Sequence, residues 1–236
     1  MPRRCRRWRS QFTRSEYYRG WAFFALYLLV FPIFLARLQR ELDQRLDFFL
    51  PPEEFSLIYY FILLCVTVLL FWSFLRDGFD ALLDNLPENL TGFAGGFAGA
   101  AVFTFLFRLL PLPIQDPNDL LLPEQYAISP KTTVVILVVL MPIIEEVLFR
   151  GLLFGSIRRY SPLLAYAVTV LGYALFCVVN FVPGAEGPDF RYLLLLVEYL
   201  PMSLALTWCY DYGGSIWASV VLHMALKGAA LFYAVQ

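Results

Sequence analysis

The sequence has little charge and almost no histidine. Only 16% of its 236 residues are Asp, Glu, Lys or Arg, and there is one histidine. Soluble domains carry about 25% charged residues, so the composition excludes an ordinary soluble domain. The 18 basic and 19 acidic side chains leave a net charge of −1. Nucleic-acid binding is therefore excluded as the main activity, because phosphate recognition needs an excess of basic groups.

Cysteine is also scarce, and no disulfide framework is visible. Cys5 lies near the N-terminus, and the other three cysteines lie in or at the ends of apolar runs. This arrangement excludes a disulfide-stapled scaffold. Apolar residues, in contrast, make up 60% of the chain. A membrane-spanning helix needs about 20 of them, so the composition predicts an all-α, polytopic membrane helical bundle of about seven transmembrane helices.

Seven apolar runs follow a basic tail at residues 1–19, and none alternates like a barrel strand. The runs cover residues 20–38, 56–75, 92–110, 132–154, 163–182, 192–209 and 215–235. Because no connection is long enough for a soluble domain, residues 20–236 are predicted to form a single membrane-embedded bundle. In the third run, Gly95 and Gly99 form a small-xxx-small pattern that predicts close helix packing.

The distribution of basic residues predicts the orientation of the bundle. Seven arginines in the tail, with Arg158 and Arg159 after the fourth run, place the N-terminus in the cytoplasm. An odd number of spans then leaves the C-terminus outside. The tail is interpreted as part of an uncleaved anchor that contacts anionic membrane lipid. Short loops and the lack of a targeting segment favour a bacterial plasma (inner) membrane.

Ionisable side chains inside the apolar runs are few, and they point to function because charge is costly at membrane depth. Glu146 and Arg150 are four residues apart and can pair on one helix face. Glu145 lies about 100° away around the helix and has no such partner. A buried carboxylate without a cation favours a general base. Pro142, three residues earlier, lacks a backbone donor and predicts a local break beside Glu145.

The last apolar run carries a second pair of polar residues. His223, the only histidine, and Lys227 are again four apart, so both project from one face. A lone histidine is more often a packing residue than a catalyst, but inside a membrane helix and beside a lysine the functional interpretation is stronger. Glu198 in the sixth run is expected to pair with Lys227 or Arg150, a structural role.

These residues resemble the CPBP family of intramembrane proteases, which includes the type-2 CAAX prenyl endopeptidase and bacteriocin-immunity (Abi) proteins. The family's EExxxR motif is intact from Glu145 to Arg150, and its FxxxH motif is matched by Phe176 to Asn180. Its third motif, histidine followed four residues later by asparagine, is matched by His223 and Lys227. The resemblance covers about residues 130–230.

The resemblance implies an endopeptidase that cuts peptide bonds within or at the membrane. In the family, the first glutamate and the second-motif histidine activate a water, and the third-motif residues hold the oxyanion. Carried over, Glu145 is the general base, His223 is an oxyanion donor, and Glu146 with Arg150 is a structural pair. Asn180 can position a water but cannot take its proton. Lys227 can donate to an oxyanion, or it can pair with Glu145 and weaken it as a base.

Two functions therefore remain open. One is an active protease acting on a peptide or protein substrate. The other is a catalytically degenerate pseudoprotease that serves as a membrane scaffold for a partner membrane protein. A small transporter is disfavoured because the chain lacks symmetric halves with broken helices. No cofactor is predicted, and no required zinc, because one histidine leaves only Glu145, Glu146 and His223 as ligands.

Overall fold

The computed structural model describes residues 12–30, 34, 37, 38, 41, 52–110, 113–184 and 187–236. These residues form a bundle of helices with one two-stranded β-ribbon. The all-α membrane bundle predicted from composition is the architecture observed. Residues 1–11 of the basic tail lie outside the described residues. So do residues 31–33, 35 and 36 near the end of the first apolar run.

Helices account for every predicted apolar run that the structure covers. Serine caps begin two of them: the Ser161 hydroxyl accepts from Leu164 N, and the Ser215 hydroxyl accepts from Trp217 N. Gly214, with φ +81°, ends the helix before Ser215 in a left-handed conformation. The elements are α1 (Arg14–Ala25, continuing as a π-helix over Leu26–Val30), α2 (Pro52–Leu70), α3 (Trp72–Asp84), α4 (Leu86–Arg108), α5 (Asn118–Ile128), α6 (Pro130–Arg158), α7 (Pro162–Val179), β1 (Pro183–Gly184), β2 (Gly187–Pro188), α8 (Phe190–Gly213, 3₁₀ over Phe190–Leu195) and α9 (Ile216–Ala234).

Five of the described helices, α4 and α6 to α9, are long and apolar enough to cross a membrane. The helices α2 and α3 together make a sixth candidate, which is bent by 81°. The second predicted run, 56–75, is therefore not one straight span. The predicted total of seven would also need the run at residues 20–38, which the structure covers only in part.

The bend between α2 and α3 is stabilised by contacts from distant segments. Glu16 in α1 closes a capping box with Thr13, and its Oε1 also accepts a hydrogen bond from Phe74 N at 3.2 Å. At the start of α9, the Ser215 hydroxyl donates to Gly78 O at 2.7 Å. The indole of Trp217 donates to Leu75 O at 2.8 Å. These bonds hold α3 between α1 and α9.

Helix α6, which carries the EExxxR motif, is continuous, and the break predicted at Pro142 is not present. Its residues Val135–Leu140 and Val147–Phe154 are wound as π-helix on either side of an α-helical segment, Met141–Glu146. Pro142 lies where the π-helical stretch Val135–Leu140 gives way to that α-helical segment. Single π-turns often occur at functional sites, and here two π-helical stretches flank the glutamates.

The close approach of α4 to the bundle uses Gly95, as predicted, but Gly92 and Gly96 in place of Gly99. A Cβ on Gly95 would lie 2.9 Å from Trp208 Cη2 of α8. A Cβ on Gly92 would lie 3.3 Å from Cys209 O, and one on Gly96 would lie 2.7 Å from Leu222 Cδ2. A Cβ on Gly99 would meet nothing within 4 Å. The Gly92 and Gly96 pair therefore faces α8 and α9, because it lies on the inner side of α4.

Candidate active site

The two glutamates of α6 lie at the centre of the bundle, with different neighbours. Glu146 and Arg150 are fully buried, and Arg150 Nη1 donates to Glu146 Oε1 at 2.9 Å. Arg150 Nη2 donates to the backbone oxygen of Ser203 at 3.3 Å and to its hydroxyl at 3.2 Å. The pair thus ties α6 to α8. Its i,i+4 spacing alone accounts for the first of these contacts.

The sole histidine lies against both glutamates. His223 Nδ1 is 2.8 Å from Glu146 Oε1, and His223 Nε2 is 3.8 Å from Glu145 Oε2. The imidazole is fully buried, and Glu145 is 2% exposed. Glu146 therefore connects the guanidinium of Arg150 to the imidazole, which orients the ring so that Nε2 faces Glu145. Helices α6 and α9 bring together the two residues on which the protease interpretation depends.

Tyr173 on α7 bridges the gap between Glu145 and His223. Its hydroxyl oxygen is 2.8 Å from Glu145 Oε2 and 3.1 Å from His223 Nε2. The Arg150 guanidinium lies over the tyrosine ring, 4.3 Å from its centroid, and Phe149 packs edge-on against it. This side chain is fully buried and held on several sides.

The sequence interpretation did not single out Tyr173, although a signal was present. Helix α7 is apolar except for a stripe of residues spaced three or four apart, which is the period of one helix face. Two members of the stripe, Tyr173 and Cys177, interact with Glu145 electrostatically. The stripe consists of Tyr166, Thr169, Tyr173 and Cys177.

The structure does not bring Asn180 to the other candidate residues. Asn180 is exposed at the C-terminal end of α7, two turns beyond Tyr173. Among the described residues, no hydrogen bond joins it to Glu145 or His223. The position predicted to support the water at Glu145 is therefore not at the site, and Tyr173 provides the polar contact from α7 instead.

Lys227 is half-buried, one turn beyond His223 on α9. Within the described part of the chain, its ammonium forms no ion pair with Glu145 or with Glu198, so the carboxylate of Glu145 is not neutralised by it. It interacts electrostatically with Cys177, whose side chain is near Tyr173. Lys227 thus lies where α9 faces Cys177 of α7.

Glu198 does not take the predicted structural role. In the region the structure covers, it pairs with neither Lys227 nor Arg150. It is half-buried in the first turn of the α-helical part of α8, and its charged neighbours are Asp116, Arg108 and Asp119. Arg150 instead contacts Ser203, more than one helical turn further along α8, because that residue lies at the depth of the EExxxR motif.

The ligand geometry does not suit a zinc ion. No three His, Cys, Asp or Glu side chains converge on a common point in the part of the chain that the structure describes. Both ring nitrogens of His223 already have partners, and Glu146 Oε1 is shared by Arg150 and His223. A catalytic zinc takes three protein ligands, which these contacts do not leave available. Independence from zinc stays a prediction.

Comparison with known proteins agrees with this placement of the motifs. Residues 128–229, a little less than half of the chain, match a family model described as Rce1-like, Type II CAAX prenyl endopeptidase Rce1-like. This part of the chain is similar to that family. No curated protein and no solved structure is significantly similar to the chain.

The Rce1-like segment contains every residue of the central cluster. It begins just before α6 and ends within α9, so it includes Glu145, Glu146, Arg150, Tyr173 and His223. The family-model match confirms, over residues 128–229, the resemblance first seen in the three motifs. Helices α1 to α4, and α5 except for its last residue, lie outside the matched segment and form the rest of the bundle.

Proposed function

We propose that this protein is an intramembrane endopeptidase in which Glu145 activates a water for attack on a peptide bond. The observation that carries the proposal is the buried contact of Glu145 with His223 through Tyr173, with no lysine or arginine paired to Glu145 among the described residues. A general base must lie within hydrogen-bond reach of its water. The second oxygen of the Glu145 carboxylate is proposed to make that contact.

The oxyanion is proposed to be held from α9. His223 Nε2 faces Glu145, and Lys227 follows one turn later on α9. A negative oxyanion accepts hydrogen bonds more strongly than a phenol oxygen, so His223 can transfer its hydrogen bond from Tyr173 to the developing charge. Lys227 supplies a second, cationic donor. Glu146 and Arg150 orient the imidazole and take no direct part.

The substrate is proposed to be a peptide segment within or at the membrane. The family description names prenyl endopeptidases, and a prenylated peptide is therefore one substrate to test. Because Glu145 and His223 are almost completely buried, substrate access requires neighbouring helices to separate. The proposed setting is the bacterial inner membrane, with residues 20–236 acting as one embedded unit after the basic tail.

A proteolysis assay on reconstituted protein tests the proposal. Wild type is expected to cleave a membrane-bound peptide library, which includes prenylated members, and Glu145→Gln is expected to lose at least about 10²-fold in rate, as for loss of a general base. Glu198→Gln is the matched control, since it removes a different glutamate from the same bundle and should retain activity. If wild type binds a peptide but is as inert as Glu145→Gln, the scaffold alternative replaces the protease.

A further inference from the structure

Tyr173 is the one described residue whose polar atom contacts both Glu145 and His223. Its hydroxyl oxygen lies 2.8 Å from Glu145 Oε2 and 3.1 Å from His223 Nε2. The direct distance between those two groups is 3.8 Å, which is too long for a hydrogen bond. In the described structure, the phenol of Tyr173 is therefore the group that joins the carboxyl group to the imidazole through two hydrogen-bond contacts.

The contacts around Tyr173 require one more proton than the groups carry when both carboxylates are ionised and the imidazole is neutral. Three short contacts join Glu146 to His223, His223 to Tyr173 and Tyr173 to Glu145. Each contact needs one hydrogen. With both carboxylates ionised, a neutral imidazole and a phenol supply only two. A third proton must be present, and Glu146 has no need of it because its oxygen also accepts from Arg150.

We propose that Tyr173 is a positioning residue that shares this third proton between Glu145 and His223. In one state Glu145 is a carboxylic acid that donates to Tyr173, and Tyr173 donates to a neutral His223. In the other, the O–H bond of Glu145 is broken, the phenol has gained that proton and passed its own to Nε2, and His223 is an imidazolium. No atom is oxidised, and the net charge of the three groups is the same in both states.

The catalytic meaning of this relay rests on the proposed function. In the state with an ionised Glu145, the imidazolium of His223 would give its Nε2 proton to the oxyanion or the leaving amine. The proton that Glu145 removes from water would then replace it through Tyr173. Titratable and charged side chains from several helices surround the three groups. Those that face the relay are Tyr27 of α1, Tyr60 of α2, Glu146 and Arg150 of α6, Cys177 of α7 and Lys227 of α9.

Histidine-selective ¹⁵N NMR tests the relay directly, because the chain has one histidine and so one pair of ring-nitrogen resonances. In wild type in lipid nanodiscs at neutral pH, the Nε2 resonance is expected between the values of a protonated and an unprotonated nitrogen. It should move to the unprotonated value in Tyr173→Phe and in Glu145→Gln. An Nε2 resonance that is already unprotonated in wild type, or unchanged in both variants, overturns the proposal.

Two features of the design separate loss of the Tyr173 hydroxyl from effects on folding. Phenylalanine at 173 keeps the ring contacts with Phe149 and Arg150 and removes only the hydroxyl. Tyr166→Phe is the matched control: it removes a hydroxyl two turns earlier on the same helix, where the partner is Asp211 at 3.2 Å. The control should keep the wild-type Nε2 resonance, and a control that shifts it equally overturns the assignment to Tyr173.

Activity separates failure of the relay from failure of the proposed function. If wild type cleaves peptides, Tyr173→Phe should lose about 10²-fold in kcat and change the pH–rate profile, whereas a purely structural tyrosine would leave the profile unchanged. If Tyr173→Phe is active and has the wild-type pH–rate profile, the relay is wrong and the proposed protease activity is unaffected. An inert wild type with the shared-proton resonance overturns the protease and leaves the relay standing.

Discussion

The ion pair between Glu146 and Arg150 is fully buried, and removing one partner should lower the stability of the protein. Arg150→Met leaves the Glu146 carboxylate buried beside the imidazole and the Ser219 hydroxyl, without its cation. Breaking a buried pair from one side costs about 3–5 kcal/mol, since the remaining charge has lost its partner. We expect Arg150→Met to lower the free energy of unfolding by an amount in that range, measured by denaturant titration in mixed micelles.

The matched control for this variant is an exposed ion pair. Arg76 and Asp77 are 66% and 56% exposed, and exposed pairs contribute about 0–1 kcal/mol. Asp77→Asn should therefore leave unfolding almost unchanged. Equal destabilisation by Arg150→Met and Asp77→Asn would mean that the 2.9 Å contact of Arg150 with Glu146 does not support the bundle.

Lys227 stands where the resemblance expects an asparagine, and its proposed role is to hold the oxyanion. Removing one oxyanion donor commonly lowers kcat by about 10²–10³-fold. We expect that loss for Lys227→Ala, and a smaller loss for Lys227→Asn, which retains an amide donor. Asn180→Ala is the control, because the exposed Asn180 should change kcat/KM by less than about threefold. Full activity of Lys227→Ala would mean that a group other than Lys227 is the second hydrogen-bond donor to the oxyanion.

At the scale of the elements, the close packing of α6 on its neighbours depends on the glycine that follows the EExxxR motif. A Cβ on Gly151 would lie 2.9 Å from Phe74 Cζ and 3.2 Å from Phe12 Cζ. Overpacking of this kind commonly costs about 1–3 kcal/mol. Gly151→Ala should therefore destabilise the bundle by about that amount, as measured by thermal unfolding with a fluorescent thiol probe.

Gly99 provides the comparison within the same protein. A Cβ there would meet nothing within 4 Å, and alanine is a better helix former than glycine by about 1 kcal/mol. Gly99→Ala should be neutral or stabilising. A result in which Gly99→Ala is the more damaging variant would show that the outer face of α4 is covered by another helix in the membrane.

At the scale of the whole molecule, the basic tail predicts a cytoplasmic N-terminus and, with seven spans, an external C-terminus. Single-cysteine proteins test this with a membrane-impermeant thiol reagent on right-side-out vesicles. Cys5 and Tyr160→Cys should label only after permeabilisation, since Tyr160, which is 76% exposed, follows α6 in a predicted cytoplasmic loop. Gln236→Cys should label without it. Labelling of Cys5 and Gln236→Cys on one side would mean an even number of spans.

The sequence by itself determined the helical class, the membrane setting, the resemblance to CPBP proteases and the i,i+4 relation of Glu146 to Arg150. Each of these follows from composition or from periodicity within one helix, which is local information. Only the tertiary structure decided that Tyr173 lies between Glu145 and His223, that Asn180 stays outside, and that Glu198 pairs with neither cation. Those outcomes depend on how separate helices are rotated and shifted against one another, and no pattern within a single helix records that.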